Sequence, residues 1–323
     1  DFAHPEGAEI VRKLAPHCQI FVENFRPGGL KKYGLDYASI AAINPAIVYC
    51  SITGFGQTGP YAKRPGYDYI IQGMGGLMSL TGEPGGEPMK SAVAVADLFT
   101  GMYAVTTILA ALRHAERTGE GQQLDVSLLD CQIAMLANLG ANYLVSGSTP
   151  QRLGNQHASI APYQVLATQD GHIILAVGND GQFRDFCRAA NASLAEDTRF
   201  VTNEARVIHR QALTEALSPI LRSRTTAEWI ATLEAADVPC GPINTLEEVY
   251  ADPQVVSRGA VQTATRADGV TVKLAASPVR MSATPPTTRL APPSLGHDTA
   301  QTLRELLRMS EAELSALRDS GAI

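Results

Sequence analysis

A turn, a strand and a helix succeed one another without interruption in Gly119-Glu120-Gly121-Gln122-Gln123-Leu124-Asp125-Val126-Ser127-Leu128-Leu129-Asp130-Cys131-Gln132. No other stretch constrains the fold as strongly. Gly119 and Gly121 punctuate a turn. Leu124, Val126 and Leu128 alternate with Gln123, Asp125 and Ser127, the period of a half-buried strand. From Leu129 the apolar positions become Cys131, Ala134, Met135, Leu136 and Leu139, which predicts one buried helix running to about Tyr143. Asp130 thus stands in the first turn of a helix that leaves a strand end. In open α/β sheets the crevice beyond such strand ends is where ligands bind.

Two roles compete for Asp130. Ser127-Leu128-Leu129-Asp130 has the S-x-x-D form of a capping box, with Ser127 as N-cap. Alternatively, Asp130 is a catalytic carboxylate kept ionised by the helix N-terminus. The local pattern leaves both open.

Buried strands and helices alternate before this stretch. A helix is predicted over 4–14, a strand over 19–23, short helices over 30–33 and 37–43, and a β-branched strand over 46–52. That order is the signature of βαβ units and a parallel sheet, an α/β fold. A loop-rich segment, 54–86, follows, with Gly54-Phe55-Gly56-Gln57-Thr58-Gly59-Pro60 at its start. It matches neither a P-loop nor a dinucleotide fingerprint. The run 92–113 is expected to be a core helix carrying Val95, Leu98, Met102, Val105 and Leu109. Ser146-Gly147-Ser148-Thr149-Pro150 reads as a linker. Beyond it lie a hairpin over 163–177 with an Asp170-Gly171 turn, helices over 180–190, 206–217 and 226–236, and a second hairpin across Asp268-Gly269. A proline-rich extended segment from Pro278 to Pro293 precedes two final helices. The resulting division is 1–150 for a large domain, 151–277 for a small one and 278–323 for a return to the large domain.

The 323 residues are 45% hydrophobic, enough for about two domains. A net charge of -6 gives no electrostatic footprint for nucleic acid. No apolar run is expected to reach the length of a membrane span. The five cysteines are scattered without a C-x-x-C pair, pointing to a reducing compartment, most simply the cytoplasm. Cys18, Cys50, Cys131 and Cys187 read as buried, and Cys240 as more exposed. The seven histidines never take metal-ligand spacing, so no metal is expected. The chain opens on Asp1 without an initiator Met, and an N-terminal portion of the large domain is expected to be absent.

Five segments together resemble one family. They are Glu23-Asn24-Phe25-Arg26-Pro27-Gly28, Ser51-Ile52-Thr53-Gly54-Phe55-Gly56, Arg64-Pro65-Gly66-Tyr67-Asp68, the Asp125-Val126-Ser127-Leu128-Leu129-Asp130 stretch, and Leu295-Gly296-His297-Asp298. In this order and spacing they are similar to the class III CoA-transferases, a group that includes formyl-CoA transferase and the α-methylacyl-CoA racemases. Gly154-Asn155-Gln156-His157, Ala161-Pro162-Tyr163-Gln164 and Gly241-Pro242-Ile243-Asn244 look most like its succinyl-CoA:glutarate branch.

The resemblance implies an open, Rossmann-like large domain built from both chain ends, an inserted smaller α+β domain, and an interlocked homodimer. It implies CoA and acyl-CoA as substrates, with free mono- or dicarboxylic acids as acceptors. Asp130 falls at the nucleophile's position. Asn24, Phe25 and Arg26 match a CoA-contacting segment, and Lys32 falls where a second cation occurs. Arg64 is assigned to the same ligand, with a dicarboxylate's distal group as its alternative partner. Tyr67, Asp68, Gly154 and His157 are assigned to the acyl substrate. Plainer roles stand beside these: Arg26 and Lys32 as surface cations, Tyr67 as a half-buried ring, Asp68 as a cap for the following apolar helix, His157 as a surface histidine. Racemases of the family carry His where this chain has Tyr67, which disfavours that activity. A non-catalytic CoA-binding protein would use Asp130 only as a cap.

Overall fold

The computed structural model describes residues 1–266 and 268–323. They form two compact units, one of residues 1–152 with 294–323 and one of residues 153–293.

In the first unit, helix α1 (Pro5–Leu14) leads to strand β1 (Ile20–Glu23), helix α2 (Tyr37–Ile43) and strand β2 (Val48–Thr53). Helices α3 (Asp68–Met74), α4 (Leu77–Leu80) and α5 (Val95–Thr118) separate β2 from β3 (Gln122–Ser127). Helices α6 (Leu128–Met135) and α7 (Ala137–Ser146) follow. The sheet order is β1-β2-β3 and all pairings are parallel, with Glu23 beside Ser51 and Thr53 beside Ser127. All three strands therefore end on one edge. Central β2 is covered on both faces, as a parallel strand requires. On one side Tyr49 stacks on Phe21, with ring centroids 4.9 Å apart, and its hydroxyl donates to the Leu35 carbonyl at 2.7 Å. On the other side Cys50 packs with Ala104 of α5, and burial, then Glu23, push its thiol up to about 11.

Several expectations need correction here. The loop-rich segment 54–86 also holds α3 and α4. The helix after β3 is broken into α6 and α7, which are bent by 81°. Ala137 takes a left-handed φ of 47° at that break, a conformation costly for a residue with a Cβ. Helix α5 is not a core helix with its large residues inside. It buries a stripe of small ones, Ala96, Thr100, Ala104, Ala111 and Ala115, and packs on β2 and β3. Leu98, Met102, Val105 and Leu109 form the opposite stripe and are each more than half exposed. Small residues let a helix approach a sheet closely, so the alanines rather than the leucines face the strands. By length and composition α5 is apolar enough to cross a membrane, contrary to expectation. Its packing on a parallel sheet is that of a layer helix. Finally, Cys18 is exposed rather than buried: it follows a short 3-10 turn, and Asn44 donates to its carbonyl and to that of Ala15.

In the second unit, β4 (Tyr163–Ala167) and β5 (His172–Ala176) form the expected hairpin, and β6 (Cys240–Pro242) adds antiparallel to β5. Helices α8 (Asp180–Ala189), α9 (Asn203–Ile208), α10 (Arg210–Leu221) and α11 (Thr226–Glu234) enclose one core around Trp229, Phe183, Phe186 and Phe200. The helix expected over 206–217 is interrupted at His209, which leaves helical geometry at ψ 30°. Helices α12 (Leu246–Ala251) and α13 (Pro253–Ser257) precede the hairpin of β7 (Val261–Thr265) and β8 (Thr271–Ala275). Residues 278–293 belong by their contacts to this unit, so the chain rejoins the first at Ser294 rather than at 278. There α14 (Thr299–Leu307) and α15 (Glu311–Asp319) pack Leu303, Leu314 and Leu317 against Ile10 of α1.

Candidate active site

The sheet edge where β1, β2 and β3 end gathers most of the residues singled out in the first unit. After β1 comes Asn24-Phe25-Arg26, all three exposed. The turn is set by the Glu23 carboxylate, which accepts the Phe25 N–H at 2.7 Å. The Phe25 ring meets Phe2 edge-on, and Phe2 in turn meets Tyr33. Lys32 lies 4.6 Å above the Tyr33 ring and stays exposed. Arg26 and Lys32 thus offer positive charge to solvent on one side of the edge.

After β2 comes the glycine loop. Its turn closes through the Gly56 N–H, which donates to Thr53 Oγ1 at 3.0 Å, and Gly56 takes φ 84°. The Gln57 N–H donates to both oxygens of Asp125, at 2.9 and 3.1 Å. Asp125 is therefore a tether between β3 and this loop. Gly54 and Gly66 cross so closely that a Cβ on Gly54 would lie 2.6 Å from the Gly66 Cα. Only glycine fits both places. The guanidinium of Arg64 stacks over Tyr61 at 4.5 Å and Phe55 at 5.5 Å, a cation–π seat that holds it on the loop.

Tyr67 is 72% exposed and its hydroxyl makes no hydrogen bond among the described residues. Asp68 is different, for both its oxygens are used within the fold. One accepts the N–H groups of Ala96 and Asp97 at 2.8 and 3.2 Å, and the other accepts the Gln72 amide at 2.6 Å. It caps α5 from a distance, where the N-cap Ala94 has no side chain to do so. The capping role weighed for Asp68 is the one its contacts display. Burial, then the Asp68 charge, raise the carboxyl of Asp97 above the usual range.

After β3 comes Asp130. Ser127 is the N-cap of α6, and its Oγ accepts the Asp130 N–H at 3.3 Å. The Leu129 N–H donates to the Gly54 carbonyl at 3.1 Å, which ties the helix start to the glycine loop. The reciprocal half of the capping box is missing: among the described residues no N–H reaches the Asp130 carboxylate, and the residue is exposed. The cap fixes the backbone of Asp130 and leaves its side chain free. Because the N–H groups of Leu129 and Asp130 are already engaged, they are not free to serve an oxyanion.

Gly154 and His157 lie in the second unit. Gly154 takes φ 58°, which glycine adopts without a steric cost. His157 is half-buried, and its ring lies 5.2 Å from that of Tyr163. Three polar side chains under the following segment escaped the sequence reading. Asn203, Arg206 and Arg210 bind the backbone of 157–161, contacts 42 to 53 residues apart in sequence that no local pattern marks. Among the described residues no group of three His, Cys, Asp or Glu side chains is placed to hold a metal.

A parallel sheet whose strand ends gather a free carboxylate, exposed cations and a glycine loop has the make-up of an acyl-transfer site. The model of CoA-transferase family III matches residues 1–299, and the chain belongs to that family. It is 50% identical over 307 residues to succinate–glutarate CoA-transferase of Agrobacterium fabrum, covering 95% of this chain and 77% of that protein. It is 40% identical over 320 residues to succinyl-CoA:glutarate CoA-transferase of Mus musculus, covering 99% of this chain and 73% of that one. Among solved structures, a CAIB/BAIF family protein from Brucella suis superposes with a TM-score of 0.83 at 48% identity, covering 95% and 80% of the two chains. The protein is an enzyme of the CoA-transferase class.

Proposed function

We propose that this enzyme moves CoA from succinyl-CoA to glutarate, with Asp130 as the covalent nucleophile. The observation that carries the mechanism is the half-made capping box: a carboxylate fixed by its backbone at a strand end, exposed and without a hydrogen-bond partner among the described residues. The substrate pair is supported by the activities named for the Agrobacterium and mouse relatives.

The Asp130 carboxylate attacks the thioester carbonyl of succinyl-CoA. The C–S bond breaks, leaving a succinyl–aspartyl anhydride and CoA thiolate. The thiolate then attacks the aspartyl carbonyl, succinate leaves, and an aspartyl-CoA thioester remains. Glutarate reverses these steps and departs as glutaryl-CoA, restoring the carboxylate. One difficult exchange is thereby split into easier ones. Arg26 and Lys32 serve the CoA phosphates, with Asn24 and Phe25 on the same ligand and Arg64 beside them. Tyr67 serves the acyl group and the acid. Oxyanion stabilisation falls to N–H groups other than those of Leu129 and Asp130.

We also read the enzyme as a homodimer. The exposed stripe of α5 and the outward Leu144 and Val145 of α7 supply an apolar surface of the kind that marks an interaction site.

Trapping tests the covalent step. After incubation with succinyl-CoA, hydroxylamine is expected to convert Asp130 to its hydroxamate, found by mass spectrometry of the 119–132 peptide. An unmodified peptide from enzyme that is turning over rules the step out.

A further inference from the structure

The strand-to-helix corner that carries Asp130 is tied to the glycine loop at both ends. At the strand end of the corner, the Gln57 N–H donates to the Asp125 carboxylate, at 3.1 and 2.9 Å to its two oxygens. At the helix end, the Leu129 N–H donates to the Gly54 carbonyl at 3.1 Å. That second bond lies one step beyond the last pair of the β2–β3 ladder, Thr53 beside Ser127. Residues 54–57 and 125–129 thus form a closed frame. Gly56 fits inside it: a Cβ there would lie 3.5 Å from an Asp125 oxygen and 3.8 Å from the Ser127 Cβ.

The two bonds of the frame do different things. A helix start leaves its first N–H groups without partners inside the helix. In α6 the Asp130 N–H is taken by the Ser127 hydroxyl and the Leu129 N–H by the Gly54 carbonyl. Ser127 belongs to the same turn as Asp130, so its bond sets the shape of that turn and not its direction from the sheet. The Gly54 bond refers the turn to a separate part of the chain, and it is as steady as the loop that supplies the carbonyl. That loop is pressed against Gly66 at Gly54 and held by Asp125 at Gln57. Aspartate is a poor strand former, yet β3 carries one where its carboxylate reaches this N–H. A hydrogen bond to an ionised acceptor is stronger than a neutral one, which suits an anchor.

We propose that Asp125 is a positioning residue for the nucleophile: through Gln57 and the Gly54 carbonyl it fixes the direction in which Asp130 leaves the end of β3. This rests on the transferase reading above. Asp125 acts through the loop, its own carboxylate being occupied by the Gln57 N–H.

Hydrogen exchange, read residue by residue by NMR, tests the frame itself. In the unaltered protein the Leu129 amide is expected to exchange slowly. In Asp125→Ala it should exchange at least about tenfold faster, as the loop opens more often. Asp125→Asn, whose amide oxygen still accepts the Gln57 N–H, should keep it near the original rate. A Leu129 amide that exchanges freely in the unaltered protein, or one that Asp125→Ala leaves unchanged, overturns the proposal whatever reaction the protein catalyses. Kinetics test the consequence. Asp125→Ala is expected to lower kcat roughly tenfold to a hundredfold by misplacing Asp130. The KM for succinyl-CoA should stay within about twofold, since binding is not what is lost. Asp125→Asn restores most of kcat. Should Asp125→Ala fail to fold, Asp125→Ser, whose hydroxyl is too short to reach the loop, carries the same expectations. Thr225→Ala, a lost cap in the other unit, reports what a loss of stability alone does and should leave kcat unchanged. Lower stability with kcat kept, or a raised KM with kcat kept, makes Asp125 a tether of the fold only and overturns the proposal. An unaltered enzyme that moves CoA to no free acid would instead refute the transferase reading, and the exchange rates would still report on the frame.

Discussion

At the start of α11, Thr225 Oγ1 accepts the Glu228 N–H at 3.3 Å, and the Glu228 carboxylate returns to the Thr225 N–H at 2.9 Å. At the start of α6, Ser127 Oγ accepts the Asp130 N–H at the same 3.3 Å, but among the described residues nothing returns. Helices α12 and α15 behave like α11, with Glu248 and Glu313 closing the loop on Thr245 and Ser310. The difference is one methylene. A glutamate at the third helical position is long enough to bend back to the cap, where its charge is absorbed by the fold. Aspartate in the same seat gains the fixed backbone without reaching the cap, so its carboxylate remains available for chemistry.

The widest separation between these helix starts is expected from Asp130→Asn. Turnover from succinyl-CoA to glutarate should fall roughly a thousandfold or more, as for other nucleophile removals. Stability in urea should change by no more than about 0.5 kcal/mol, since no hydrogen bond to the side chain is lost. Retained turnover with a clear loss of stability would make α6 just another capped helix. Asp130→Glu probes the missing methylene. Displacing the carboxylate by about 1 Å is expected to cost roughly a hundredfold in kcat. The variant should be at least as stable as the parent, because its box can close. Thr225→Ala is the converse case, expected to cost about 1 kcal/mol of stability with no change in turnover.

A pH dependence gives the smallest effect. Glu228 is held below the usual carboxylate range by the Thr225 N–H and then by the Thr225 hydroxyl. Its folded pKa lies below its unfolded one, so its stabilisation is present above the ordinary value of 4.5 and is lost as pH falls through the folded value. The stability difference between Thr225→Ala and the parent should therefore shrink between neutral pH and about pH 3, measured by denaturant unfolding at both. An equal difference at the two pH values would mean that the hydroxyl alone makes the cap.

The helix starts were legible because capping is local: Ser127, Thr225, Thr245 and Ser310 each precede their acid by three residues. That Asp130 stays free was legible only in the length of its side chain, one methylene short of the glutamates that close the other boxes. Asp68 shows the same limit from the other side. It could be read as a capping residue, but its target, the N–H groups of Ala96 and Asp97, lies 28 and 29 residues away. The large residues of α5 misled for a different reason. Apolar periodicity reports that a face avoids water but not which face meets the sheet, and the alanines on the other side win that place by their size.

By itself, the sequence determined the order of strands and helices, the parallel character of the first sheet and the position of Asp130 at a strand end. Those follow from periodicity, turn residues and βαβ alternation, all set by near neighbours. Tertiary structure alone decided the Gly54–Gly66 crossing, the Asp125 tether to Gln57, and the support of residues 157–161 by Asn203, Arg206 and Arg210. Each depends on atoms from distant parts of the chain meeting within about 3 Å, and no local pattern carries that distance.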